Sequence, residues 1–219
     1  MTAFERFARF MLQPVILFLV LGLFVVCYLY VDIPVAYYFH NMDLHSRDPA
    51  IVWVTNLGLG AIYFAGFFIL ALWCRYIMPS AIWEARWWFL WLCAVIPSAI
   101  CFILKILLGR ARPQLLFSDG YYGFYGLRLH DHAWHWWSCP SGHTSVIMGV
   151  MFGLCVLFPR YMWLFIGSGL CVAISRILLT DHYVSDVLVT SYLTLLEVVA
   201  LVYVIRRSTR FSKILTAPV

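Results

Sequence analysis

The chain has 219 residues, of which 64% are hydrophobic and 11% charged, with a formal net charge of +5. Soluble domains are about half apolar and about a quarter charged, so this composition excludes a soluble domain and indicates an integral membrane protein. The basic residues are spread along the chain rather than gathered in one run, so we expect no nucleic-acid partner. The seven cysteines have no CxxC spacing, which argues against a disulfide framework or a zinc site.

Six apolar runs, each of about the length that a bilayer demands, predict an all-α fold. We expect a polytopic membrane protein built as a six-transmembrane-helix bundle, embedded in the bilayer. The predicted spans are residues 14–31, 57–76, 88–108, 144–158, 163–179 and 182–205. The first run is longer than the apolar part of a signal peptide and is expected to be retained. No polar stretch is long enough for a second domain, so residues 1–219 are predicted to form one membrane domain.

Positive charges predict the orientation, because cytoplasmic loops carry more Lys and Arg. With both the N and C termini cytoplasmic, the inner side would hold Arg6, Arg9, Arg75, Arg86, Arg160, Arg206, Arg207, Arg210 and Lys213. The outer side would hold Arg47, Lys105, Arg110, Arg112, Arg128 and Arg176. Several of these outer residues belong to the segments described next. The segment 109–140 is therefore predicted to face the periplasm or the exterior.

The segment KILLGRARP, residues 105–113, follows the third span. Lys105 and Arg112 are seven residues apart, so a helix that continued for two turns would point both side chains the same way. Pro113 would then end that helix. Cations that snorkel from a helix end would give the same pattern, and this segment alone does not separate the two interpretations.

The segment CPSGHTS, residues 139–145, precedes the fourth span. A Pro-Ser-Gly turn before an apolar run predicts a helix N-terminus, whose backbone N–H groups and positive dipole end bind anions. A plain capped helix start would have the same sequence, so this segment is also ambiguous alone.

The segment SRILLTDHYVSD, residues 175–186, links the fifth and sixth spans. His182 and Asp186 are four residues apart and are expected on one helical face. A carboxylate there can hold one imidazole N–H and leave the other nitrogen free to attack. Asp181 is expected to cap the sixth helix.

The topology places all three segments at one membrane face. Together they supply three cations, two histidines, an orienting carboxylate and a helix N-terminus. Such a set is typical of a pocket for a tetrahedral oxyanion with a nucleophile and a proton donor. The membrane location predicts that a lipid carries the oxyanion.

The spacings KxxxxxxRP, PSGH and SRxxxxxHxxxD resemble the signature of the type-2 phosphatidic acid phosphatase superfamily, which also includes bacterial acid phosphatases and vanadium haloperoxidases. The resemblance covers about residues 88–205 closely. Every signature residue is present: Lys105, Arg112, Pro113, Pro140, Ser141, Gly142, His143, Ser175, Arg176, His182 and Asp186. Thr180 and Val184 stand where many relatives carry Gly and Pro, so the turn before the sixth span is expected to differ in shape.

The resemblance implies a role for each site residue. His182 would attack phosphorus to form a phosphohistidine, Asp186 would orient it, and His143 would protonate the leaving lipid oxygen and then activate water. The phosphate clamp would comprise Lys105, Arg112, Arg176, Ser141 and the N–H of Gly142. Three fixed cations can neutralise the phosphoryl oxygens, so neither a metal nor another cofactor is expected.

Two other nucleophiles in the second segment are disfavoured. Cys139 would need an arginine six residues later, where Ser145 stands. Ser141 would need His143 as its base, but residues two apart at a helix start point in different directions.

The implied function is a metal-independent membrane lipid phosphate phosphatase of the bacterial plasma (inner) membrane, acting on its outer face. Undecaprenyl pyrophosphate, phosphatidylglycerophosphate, phosphatidic acid and lipid A are the candidate substrates. A phosphotransferase that passes the phosphoryl group from His182 to a second lipid stays open. A transporter would need ionisable residues inside several spans, where Glu197 is nearly alone. The sequence does not indicate the preferred headgroup or the oligomeric state.

Two loop segments and one carboxylate stand apart from these motifs. His130, His132 and His135 fit no common structural zinc spacing, and the tryptophans beside them favour an interfacial loop. A role of this loop in admitting the lipid headgroup stays open. Residues 121–128 are interpreted as an aromatic lid, with Arg128 as a second phosphate or headgroup contact. Glu197 lies about 16 Å along the helix from Asp186 and is expected to be a hydrogen-bonded structural residue.

Overall fold

The computed structural model describes residues 1–127 and 133–207, and those residues hold eleven α-helices and no β-strand. The helices are α1 (Ala3–Met11), α2 (Pro14–Val26), α3 (Asp32–Met42), α4 (Leu44–Arg47), α5 (Pro49–Asn56), α6 (Gly60–Tyr76), α7 (Ala81–Leu108), α8 (Pro113–Asp119), α9 (Gly142–Leu157), α10 (Met162–Leu178) and α11 (Val184–Arg207). A π-helical turn, Cys27–Val31, joins α2 to α3, and 3-10 turns lie at Ala133–Trp136 and Pro159–Tyr161. The all-α prediction is confirmed.

Four stretches among the described residues are long and apolar enough to cross a membrane: Pro14–Arg47, Ala81–Leu108, Pro159–Leu178 and Val184–Arg207. The pair α5 and α6, which meet at a bend of 42°, would make a fifth if it forms one broken span. Helix α9 is apolar but has only 16 residues. The chain is therefore a multi-pass membrane protein. Each of the six predicted runs falls on a helix, while the count of six spans and the side of the termini stay predictions.

Helix α9 is the centre of the bundle, with α7, α10 and α11 packed around it. Its approach to α7 depends on a proline and a glycine. Pro97 has no N–H for the Cys93 carbonyl one turn earlier in α7, and Gly149 of α9 packs against that carbonyl. A Cβ at Gly149 would lie 2.1 Å from the Cys93 oxygen. Small residues four apart allow such close packing between membrane helices, and Gly153 continues the stripe.

The burial of the first long helix changes at its π-helical turn. None of the α2 side chains is buried in the described structure, which suits a helix that faces lipid. The N–H of Asp32 donates to the carbonyl of Cys27, a five-residue step that adds one residue to the turn. Past this turn, Asp32 and Ala36 are buried against the bundle. The first helix therefore faces lipid in its first part and carries a buried carboxylate in its second.

Helix α1 is a short segment that no apolar run predicts. Thr2 and Glu5 form a capping box at its start, and Phe4 and Ala8 bury its apolar side in the core. Glu5 pairs with Arg206 at 2.7 Å, which joins α1 to the end of α11.

Candidate active site

All eight residues of the predicted site lie at one end of the bundle, where α7 and α10 end and α9 and α11 begin. A Cβ at Gly142 would lie 3.8 Å from Cε of Lys105, so the first and second segments are adjacent. The charges of Lys105 and Arg112 act on both His143 and His182. The structure thus brings the three motif segments together, and the roles of their residues stay predictions.

His182 lies in the turn between α10 and α11 and is 3% exposed. Its Nδ1 is 3.6 Å from Oδ2 of Asp186, which is longer than a hydrogen bond but close enough for the carboxylate to orient the ring. Because Nδ1 faces Asp186, Nε2 is the nitrogen that remains free to react with a ligand. Burial lowers the pKa of His182 well below its ordinary value, despite the opposing effect of Asp186. The imidazole is therefore neutral at pH 7, as a nucleophile must be.

The carboxylate of Asp186 is fully buried and is held on both oxygens. Oδ1 accepts a hydrogen bond from Nη1 of Arg110 at 2.5 Å. Oδ2 accepts from the hydroxyl of Ser138 at 2.6 Å and from the N–H of Tyr183 at 3.1 Å. These donors fix the rotation of the carboxylate that faces His182.

The first motif segment does not continue as a helix, and that prediction is wrong. Helix α7 ends at Leu108 because Gly109 adopts a left-handed conformation with φ of 54° and caps it. Arg112 is extended, and Pro113 begins α8 instead of ending α7. Lys105 and Arg112 approach the same pocket because the chain turns at Gly109.

Arg176 is anchored at both ends of its guanidinium fork. Nη1 donates to the hydroxyl of Thr55 at 2.8 Å, and Nη2 pairs with Oδ2 of Asp181 at 2.9 Å. Asp181 was expected to cap the sixth helix, but α11 begins only at Val184, so the carboxylate binds Arg176 instead. Thr180, beside it, has a φ of 55°, the left-handed region that favours glycine.

The cations keep donors that the described residues do not satisfy. Lys105 donates from Nζ to the carbonyl of Trp137 at 2.6 Å. Among the residues that the structure describes, Nε of Arg112 and Nε of Arg176 are buried without a hydrogen-bond partner. Buried unsatisfied donors on charged groups favour an anion as their partner. This arrangement supports the predicted phosphate clamp.

Neither rival nucleophile in the second segment is activated. The Ser141 hydroxyl accepts a hydrogen bond from Thr144 at 3.0 Å, and the Ser141 N–H donates to Thr190 at 2.8 Å. Burial raises the pKa of the Cys139 thiol well above its ordinary value, so it stays protonated at neutral pH. Ser141 and Gly142 remain placed for ligand binding at the start of α9.

A cavity of about 200 Å³ lies beside Lys105 and His143. Its walls come from α6, α7 and α9 and from the residues before α6, and they are mostly apolar: Gly58, Gly60, Phe64, Ser98, Cys101, Phe102, Gly142 and Val146 complete the lining. Gly58 packs so closely on His143 that a Cβ there would lie 2.9 Å from the Cβ of His143. An apolar cavity next to a cluster of cations suits an amphipathic ligand with an anionic head.

Three residues that the sequence motifs did not indicate belong to the site. Arg110 holds Asp186, Asp32 holds Arg110, and Thr55 holds Arg176. Arg110 stands two residues before Arg112, and Asp32 is one of only ten acidic residues in an apolar chain. A carboxylate at the end of an apolar run is a recognisable signal. Thr55 has no signal in the sequence, since its role depends on how α5 packs against α10.

The remaining predicted features are placed only in part. His130, His132 and Arg128 lie outside the described residues, and the backbone carbonyl of His135 accepts from the N–H of Arg112 at 2.9 Å. Within residues 1–127 and 133–207, no three His, Cys, Asp or Glu side chains are grouped as metal ligands. Oε1 of Glu197 is buried and has no hydrogen-bond partner among those residues, so the expected hydrogen bonding is not seen at this atom.

Comparisons with known proteins point to one family. Residues 86–210, more than half of the chain, match the family model described as the PAP2 superfamily. The lipid A 1-phosphatases of Rhizobium johnstonii and Rhizobium etli are each 30% identical to this chain over 100 residues. That stretch is 46% of this chain and only 40% and 42% of the two relatives. No solved structure matches the chain significantly.

Proposed function

Because the chain belongs to the PAP2 superfamily, we propose that it is an integral membrane lipid phosphate phosphatase that works through a phosphohistidine at His182. The placement of His182 carries the proposal: its Nδ1 faces a fixed carboxylate, and the charges of Lys105 and Arg112 act on its ring. We assign residues 1–219 to one membrane-embedded phosphatase domain, with the catalytic motifs within residues 105–186.

In the first step, Nε2 of His182 attacks phosphorus and forms an N–P bond. The bond between phosphorus and the lipid oxygen breaks, and the leaving oxygen takes a proton from His143. Lys105, Arg112 and Arg176 neutralise the equatorial oxygens, together with the Ser141 hydroxyl and the Gly142 N–H. Fixed charges aimed at these oxygens stabilise the transition state without moving during the reaction. These cations replace a metal ion in the proposed mechanism.

In the second step, water attacks the phosphohistidine. His143, which lost its proton to the lipid, takes a proton from this water. The N–P bond then breaks, and inorganic phosphate leaves a neutral His182. The products are phosphate and a lipid alcohol, or a lipid phosphate when the substrate is a pyrophosphate.

Lipid A heads the list of proposed substrates, because both relatives are lipid A 1-phosphatases. Undecaprenyl pyrophosphate, phosphatidylglycerophosphate and phosphatidic acid share the phosphate group that the cations would bind. The apolar cavity beside Lys105 and His143 supports a substrate with a lipid part. The bias of positive charges supports an active site on the extracytoplasmic face of the bacterial inner membrane.

A panel of the four lipids tests this function on the purified protein in detergent without added metal. We expect phosphate release from at least one lipid by the wild type, and none above background by His182→Ala, which should remain folded in the membrane. Turnover that survives at the wild-type rate in His182→Ala would rule out the proposed nucleophile. Failure of the wild type on every lipid would count against the phosphatase itself.

Phosphotransfer is the second candidate, because the same phosphohistidine can react with the hydroxyl of another lipid. A donor lipid labelled in its phosphate separates the two reactions. Hydrolysis puts the label in free phosphate, whereas transfer leaves it on lipid. A transporter would show neither product.

A further inference from the structure

A chain of buried polar groups links the first long helix to Asp186. Arg110, which is fully buried, donates from Nη1 to Oδ1 of Asp186 at 2.5 Å and from Nη2 to Oδ2 of Asp32 at 2.7 Å. One guanidinium therefore bridges two carboxylates, one at the start of α3 and one in the first turn of α11.

The carboxylate of Asp32 binds Ser185 as well as Arg110. Its Oδ1 accepts from the backbone N–H of Ser185 at 2.9 Å, and its Oδ2 accepts from the Ser185 hydroxyl as well as from Arg110. The Ser185 hydroxyl in turn accepts from Nη1 of Arg110 at 2.7 Å. Asp32 thus holds Arg110 and also the residue that precedes Asp186.

Aromatic rings enclose the guanidinium and keep water away from it. The Arg110 Cζ lies 4.7 Å from the ring centre of Tyr183, 5.1 Å from those of Tyr28 and Phe124, and 5.7 Å from that of Tyr122. Charge-assisted hydrogen bonds are stronger and better fixed in direction in such a dry site than in water.

We propose that Asp32 and Arg110 are positioning residues for the nucleophile. Asp32 fixes the Arg110 fork, the fork fixes Oδ1 of Asp186, and Oδ2 is thereby held toward Nδ1 of His182. The proposal rests on the proposed function, in which His182 attacks phosphorus. Both side chains are closed to the surface, so they act through Asp186 and do not bind the lipid.

The place of Asp32 in the chain adds to this inference. It lies well before residues 86–210, the stretch that matches the family model. The first long helix therefore contributes to the catalytic geometry as well as to the membrane anchor. A helix that served only as an anchor would gain nothing from a buried carboxylate, which is costly to desolvate.

The main test is Asp32→Asn, which keeps the shape of the side chain but removes the charge that grips Arg110. We expect kcat to fall about 10-fold to 100-fold, because a small misplacement of a reacting group has effects of this size. We expect KM to stay within about twofold, because the phosphate clamp is untouched. Asp43→Asn, the same change at the exposed end of α3, is the matched control and should leave both constants unchanged.

Two further variants separate positioning from a merely structural role. Arg110→Lys keeps the positive charge but not the fork, and is expected to lower kcat at constant KM by a similar factor. In the Arg110→Lys background, Asp32→Asn should have little further effect, because Asp32 acts through that fork. Falls in kcat that multiply in the double variant, or a rise in KM without a change in kcat, would overturn the proposal.

Ser185→Ala is the milder variant if Asp32→Asn does not fold, because it removes the hydroxyl that binds both Asp32 and Arg110 and leaves their direct ion pair in place. A lower kcat at constant KM in Ser185→Ala or in Arg110→Lys would support the proposal, and an unchanged kcat in both would overturn it. The wild type and His182→Ala run beside these variants. A wild type that releases no phosphate contradicts the proposed function, whereas an active wild type with a fully active Asp32→Asn contradicts only the positioning role.

Discussion

The imidazole of His182 is buried, with the Asp186 carboxylate beside its Nδ1 and the charges of Lys105 and Arg112 acting on the ring. Water cannot stabilise a proton on this ring, and the neighbouring positive charges repel one. The same surroundings that would keep Nε2 free for the proposed attack on phosphorus therefore make protonation of His182 in the folded protein costly. The proposed reactivity of this residue and its sensitivity to acid would have one physical cause.

We therefore expect His182 to make the protein less stable as the pH falls. The folded-state pKa of His182 is lowered, whereas the unfolded chain binds its proton near pH 6.5. Below that pH the unfolded state gains a proton that the folded state does not accept, so the free energy of unfolding decreases by up to about 1.4 kcal/mol per pH unit.

The measurement compares wild type with His182→Gln by denaturant unfolding in detergent between pH 7.5 and pH 5. The wild type should lose more stability over this range, and the difference should vanish above about pH 7.5. Parallel pH profiles for the two proteins would contradict this prediction, because they would mean that His182 binds its proton as readily in the folded protein as in the unfolded chain.

The sequence predicts those site residues that are charged or titratable and that stand at the fixed spacings of the three motifs. Lys105, Arg112, His143 and His182 are charged or titratable groups at motif positions, so their meeting could be expected. The supporting residues are different. Arg110 lies in the connection between α7 and α8 and meets Asp32 of α3 beside Asp186 of α11, and no local pattern in the sequence specifies that contact.

At the scale of helices, each of the six predicted apolar runs falls on a helix, because hydropathy marks where an apolar helix lies. The ends of the helices and the connections between them depend on single residues, whose effect is set by the surrounding structure. Gly109 ends α7 and Pro113 starts α8, although a proline after a helix looks like a terminator. The π-helical turn at Cys27–Val31 lies inside an apolar run, and nothing in its sequence distinguishes it from a regular α-helix.

The contact between α7 and α9 should be among those in the bundle that tolerate a larger side chain least. Gly149→Ala would place a methyl group 2.1 Å from the carbonyl oxygen of Cys93, which is backbone and cannot move aside without shifting a helix. Overpacking of this kind costs about 1–3 kcal/mol, so we expect a lower thermal unfolding midpoint in detergent.

Gly167→Ala is the matched control, since a Cβ at Gly167 in α10 meets nothing within 4 Å. Alanine is a better helix former than glycine, so this variant should be as stable as the wild type or more so. Equal effects of the two substitutions would show that helix propensity, and not the contact with Cys93, decides the outcome.

At the scale of the whole molecule, residues far from the motifs complete the site. Thr55 anchors Arg176, Gly58 packs on His143, and Asp32 holds Arg110. All three precede the stretch that matches the family model. A fragment that begins near residue 86 would therefore contain every motif residue but lack the partners that hold them.

The predicted orientation can be tested by labelling in intact spheroplasts. Ser46→Cys lies on the side of the active site and Met78→Cys in the connection between α6 and α7, and both positions are exposed. With the active site outside, a membrane-impermeant maleimide should label Ser46→Cys in intact cells and Met78→Cys only after lysis, as read by site-resolved mass spectrometry. The reverse pattern would place the active site in the cytoplasm.

The π-helical turn between α2 and α3 sets the rotational phase of the first helix. An α-helix advances by about 100° per residue, so one extra residue in the turn rotates everything that follows relative to α2. Removing a single residue from Cys27–Val31 would restore a regular helix and swing Asp32 out of line with Arg110 while α2 kept its lipid-facing surface. A one-residue deletion in an otherwise featureless apolar stretch would then abolish the proposed activity although every motif residue is still present.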